Sequence, residues 1–156
     1  MKIDLKLAGH YFNEAKKLFD KDDSSLWGIN FNGPIMFVHP ETRDIVANQQ
    51  DTEKDLKKEG NVYVGKLPKN MNPANSTMIW NGIKWVTILW YSIENNEKEM
   101  LKTIAHESFH RIQDRLKFQP KRLETLSHLQ TTEGRIWFKL EREALIKALE
   151  NDENEK

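Results

Sequence analysis

The 156-residue chain carries 24 Lys+Arg against 24 Asp+Glu, so its net charge is zero and no global field draws it to nucleic acid or an anionic membrane. It has no cysteine, which excludes disulfides and thiolate zinc sites, and its apolar runs fall far short of the roughly 20 residues a membrane span needs. The length allows one domain with a real core, expected over residues 1–150 and followed by a frayed acidic tail at 151–156.

The first element is a helix from about residue 5 to residue 20. Ala8, Tyr11, Phe12, Ala15, Leu18 and Phe19 recur at helical spacing, and a polar cluster at 20–25 ends the run. Strand signals follow. Trp27, Ile29 and Phe31 alternate, and Asn32-Gly33 offers a tight turn before Ile35–Val38. Pro40 to Arg43 is a second turn, with a return strand at Ile45–Ala47. Asn61–Leu67 reads as another strand. Met78–Trp80, Asn81-Gly82 and Ile83–Tyr91 form the clearest hairpin. Short turns between these strands imply antiparallel pairing. Beyond Asn96 the chain becomes helical, with Leu101, Ile104, Ala105, Ser108, Phe109, Ile112 and Leu116 as an apolar stripe that Pro120 ends. A last helix is written in Ile136, Trp137, Leu140, Ala144, Leu145 and Ala148. Helix, strands, then helices reads as α+β.

The chemistry is concentrated in His106-Glu107-Ser108-Phe109-His110. Residues i and i+4 of a helix are neighbours, about 5–6 Å apart at Cβ, which suits two imidazoles meeting one zinc ion. Glu107 is turned about a quarter-turn away, too far round to be a ligand with them but suited to take a proton from water at the metal. The pair is expected beside the apolar stripe, half-buried. His10, His39 and His128 stand singly and read as surface or structural residues.

A catalytic zinc usually keeps three protein ligands and an open position. No histidine follows at short spacing, so a carboxylate is expected from among Glu124, Glu133, Glu141 and Glu143. Glu141 shares a helical face with Trp137, Ala144 and Ala148, where a carboxylate must be metal-bound or paired. It is the candidate third ligand, against a buried ion-pair role with Arg111 or Arg135. Glu133, His128 and a ligand outside the chain stay open. Glu143 falls in line with Lys139 and Lys147, an ordinary solvated ladder.

Three stretches, HESFHRIQ, LWGINFNGPIMFVHPETRDIVAN and SHLQTTEGRIWFKLEREALIKAL, together resemble bacterial zinc metallopeptidase-like proteins of the gluzincin type over roughly residues 26 to 150. Only the His-Glu-x-x-His match is chemically specific. The resemblance implies a zincin-like fold with an antiparallel-rich sheet, zinc on His106 and His110, Glu107 as general base and a peptide or protein as substrate. It also implies that an edge strand over the active-site helix receives extended peptide. Ile83–Tyr91 is the candidate, against a reading of Trp85, Ile88, Leu89 and Trp90 as core. Relatives of this type are often exported, and they continue past the point where this chain stops, to an Asn-Glu-Gly stretch that supplies their glutamate ligand. That stretch is missing here, which sets Glu141 against a downstream glutamate and residues 1–156 as a piece of a longer chain. The rival function is a non-catalytic peptide-binding or regulatory module on the same fold.

Overall fold

The structure, a computed structural model, describes residues 3–22, 24, 27–90, 96–116 and 131–154. The Asp4 carboxylate opens the first helix, α1 (Leu5–Lys21), by accepting the backbone N–H groups of Lys6 at 2.9 Å and Leu7 at 3.0 Å. Its expected stripe of Ala8, Tyr11, Phe12, Ala15 and Phe19 is buried, while Leu18 stands at the edge, exposed.

Among the described residues six strands make one sheet: β1 (Ile35–Val38), β2 (Asp44–Ala47), β3 (Lys57–Glu59), β4 (Val62–Lys66), β5 (Ser76–Trp80) and β6 (Ile83–Leu89), in the order β3-β4-β2-β1-β6-β5. Every pairing is antiparallel except β1 with β6, which is parallel. The hairpin expected at Asn81-Gly82 is there. Both residues take positive φ, 45° and 74°, as a tight turn matched to strand twist requires.

Two cores lie on the two faces of the sheet. Phe37, Val46, Val86 and Ile88 point to the helices, where Phe12 stacks on Phe37 at 4.9 Å between ring centroids. Met36, Val38, Ile45 and Trp85 point the other way, under Leu56, Leu67 and Met71 of the connecting segments. Trp85 is fully buried, and its indole N–H donates to the Trp80 carbonyl at 3.1 Å. Apolar residues on both faces of β6 therefore mark an interior strand. The expectation that Ile83–Tyr91 is a peptide-binding edge is corrected: β6 is enclosed by β1 and β5, and β5 holds the edge. Tyr91 itself lies outside the described residues.

The strand expected at Trp27–Phe31 does not form. Gly33 is not in a left-handed turn. A Cβ there would meet the Arg111 guanidinium, which lies against the backbone at this point. A backbone contact, not a hairpin, marks that Asn-Gly pair.

The chain divides into two compact units, Met1–Phe118 and Gln119–Lys156. In the second, α3 (Thr132–Asn154) confirms the last expected helix and continues through much of the tail expected to fray. Its Ile136, Trp137, Leu140 and Leu145 are exposed, and so is Glu141. The buried face expected around Glu141 is thus not realised. Apolar residues extend to Phe138 and Ile146, around more than half the helix, so the periodicity identifies a helix without selecting a buried side.

One polar contact holds the lower sheet face. The buried Asp51 carboxylate accepts N–H groups from Leu56 at 3.2 Å and Asp55 at 3.1 Å, and the Asn81 amide at 2.6 Å. Burial, the largest single influence, pushes its carboxyl up, but these hydrogen bonds together outweigh it and hold the pKa below the ordinary value. A depressed carboxyl stabilises the fold above the unfolded pKa of about 3.9 and loses that contribution as pH falls through the lower folded value. Urea unfolding at neutral pH should show Asp51→Ala less stable by about 1–3 kcal/mol, since it strands a buried N–H. In acid the gap between the two proteins should narrow.

Candidate metal centre

The active-site candidate lies on α2 (Glu97–Ile112), which the Asn96 side chain caps by accepting the Glu99 N–H at 3.2 Å. Glu97 and Glu99 in the first turn and His110 and Arg111 in the last suit the helix dipole. Met100, Ile104, Ser108 and Ile112, in steps of four, are buried as α2 packs on β6 and β5. Leu101, Ala105 and Phe109 lie on a half-buried shoulder, and Phe109 meets Trp27 at 5.2 Å between ring centroids.

This rotation corrects the expected position of the pair. His106 and His110 are exposed on the side of α2 away from the sheet, and Glu107 is the buried member, 7% exposed. The reason is that the sheet takes the 100-104-108-112 line rather than the 101-105-109 line. Residue 107 then falls on the core side and residues 106 and 110 fall opposite.

The histidine pair itself forms. The two Nε2 atoms are 3.1 Å apart and the rings stand at 83°, nearly perpendicular. Nitrogens each about 2.0–2.1 Å from one zinc ion at a tetrahedral angle stand roughly 3.3 Å apart, so this donor pair fits such an ion with little adjustment. His110 Nδ1 also lies 2.9 Å from Gln113 Oε1. Gln113 was not singled out from the sequence, although it stands three residues after His110 and seven after His106, in line with both.

The helix end that carries these residues is held firmly. Arg111 donates through one guanidinium nitrogen to the carbonyls of Phe31 and Asn32, each at 2.9 Å. Burial lowers the pKa of this guanidinium, and the charge of Arg115 adds to the shift. Beyond α2 a short 3₁₀ turn, Gln113–Leu116, is tied to β6 by Lys84 and Asp114 at 2.7 Å.

Glu107 has no hydrogen-bond or ion-pair partner among the described residues, and the neighbouring Ser108 hydroxyl is buried without one. No third His, Cys, Asp or Glu joins the pair among those residues. Glu141, Glu133 and Glu143 belong to the second unit, all exposed, and Glu143 pairs with Lys139 at 3.8 Å as the ladder implied. Glu124 and His128 lie outside the described residues. His39 is structural: its Nδ1 accepts the N–H groups of Glu41 at 3.3 Å and Thr42 at 3.2 Å. His10 pairs with Glu97 at 2.7 Å across α1 and α2.

No protein-family model, curated protein or solved structure matches this chain. The reading of the centre therefore rests on its own geometry. Among the described residues, no helix is long and apolar enough to cross a membrane.

Proposed function

We propose that this chain is a zinc-dependent peptide hydrolase on a zincin-like α+β fold, with His106 and His110 as metal ligands and Glu107 as general base. The observation that carries the reading is the convergence of the two Nε2 atoms to 3.1 Å. Two imidazoles at that distance share one proton or one metal ion, and the spacing is that of a metal chelate. Bound zinc would supply a Lewis acid that polarises a substrate carbonyl and acidifies water.

The residues of the chain do the remainder. Glu107 accepts a proton from the attacking water and returns it to the leaving amine. The absence of a hydrogen-bond or ion-pair partner for its carboxylate among the described residues supports this role, because a group that must change protonation is better left without a competing ion pair. An extended peptide can add to the free edge of β5, which lies beside β6 above α2. Ile79 of β5 is 74% exposed and offers an apolar contact there.

Glu141 is retained as the proposed third ligand. Glu141 is exposed on α3, and its substitution gives a clean test. Glu141→Gln should weaken zinc binding by several-fold or more in a competition titration while the melting temperature of the metal-free chain stays constant. Unchanged zinc affinity would assign the third position to another residue.

The second reading is a non-catalytic zincin-fold module that binds peptide. It is favoured by the orientation of α2, which turns the histidines away from the sheet and Glu107 toward it. Zinc content of the purified chain with and without chelator, followed by cleavage of a broad peptide library, separates the two. Bound zinc with no cleavage would select the module, and no bound zinc would overturn the metal centre.

A further inference from the structure

We infer that Gln113 is a positioning residue, which sets the tautomer and ring orientation of His110 so that its Nε2 lone pair faces the metal; this rests on the zinc centre proposed above. Oε1 of an amide only accepts hydrogen bonds, so the 2.9 Å contact requires His110 Nδ1 to carry the proton. In the neutral ring the proton on Nδ1 leaves Nε2 as the acceptor. That nitrogen is the one directed at His106 Nε2. Metal-binding histidines generally have the second ring nitrogen engaged in this way, which fixes the ring and raises its basicity.

The placement follows from helix geometry. Residues 106, 110 and 113 stand at i, i+4 and i+7, on one stripe, and side chains lean toward the helix start, so Gln113 lies back over His110. Its backbone cannot drift. Ile112 beside it is fully buried, Arg111 is bonded to the 31–32 carbonyls, and Asp114 is paired with Lys84. Gln113 itself is half-buried at the start of the 3₁₀ turn, where its side chain is free to serve the ring rather than the core.

The test reads the tautomer first, in the metal-free protein. Imidazole ¹⁵N resonances in mildly alkaline buffer should show His110 protonated at Nδ1. Gln113→Leu should move it toward the Nε2–H form that free imidazole side chains favour, and Gln113→Glu, which keeps an acceptor, should restore the native form. Zinc affinity by chelator competition should then fall roughly 10–100-fold in Gln113→Leu and recover in Gln113→Glu. A His110 tautomer identical in all three proteins overturns the positioning role, even if zinc binds and His110→Ala abolishes it. A chain that takes up no zinc but shows the tautomer switch would instead overturn the metal reading and leave the positioning of His110 standing.

Discussion

The unsubstituted protein should carry up to one zinc ion per chain, and His110→Ala, and equally His106→Ala, should leave the purified chain with little of it. Each substitution removes one of the two nitrogens that stand together at 3.1 Å among the described residues, and a single remaining imidazole on an exposed helix face makes a weak site. Elemental analysis after gel filtration measures the effect directly. The two side chains are exposed, so thermal melts of the metal-free variants should match the parent within a degree or two. His39→Ala gives the contrast. It removes the buried acceptor of the Glu41 and Thr42 N–H groups, so it should cost stability without touching zinc. Zinc content indifferent to both substitutions on α2 would sink the centre.

Glu107→Gln should lower peptide hydrolysis by about 10²-fold or more while zinc content persists. The amide keeps the size of the side chain and removes the base. Stability gives this prediction a second readout. The Glu107 side chain has no hydrogen-bond or ion-pair partner among the described residues, so the isosteric amide breaks no contact there. The melting temperature should therefore hold as activity falls. A fall in both together would make Glu107 a structural residue. Equal inactivity of parent and variant, with zinc bound to each, would favour the peptide-binding module.

The elements most legible in the sequence are those set by local rules. Asp4 caps α1, the 8-11-12-15-19 spacing buries one side of it, and Asn81-Gly82 turns a hairpin, all through contacts within a few residues. The His106–His110 contact is equally local, since four residues of helix impose it. The misread turn at Asn32-Gly33 shows the limit. Its glycine lies against Arg111, 78 positions away, and no local signal carries that contact.

By itself, then, the sequence determined an α+β chain, most of its strands and a two-histidine donor set, because turn chemistry and periodicity act over a handful of residues. Only the tertiary structure decided that β1 pairs in parallel with β6, that β5 and not β6 holds the sheet edge, and that α2 presents Glu107 to the core and the histidines away from it. Those outcomes depend on which of two neighbouring apolar lines on α2 meets the sheet and on strand partners 51 residues apart, as between Ile35 and Val86. Long-range burial selects among such alternatives, and the hydrophobic pattern of either line alone satisfies the local rules.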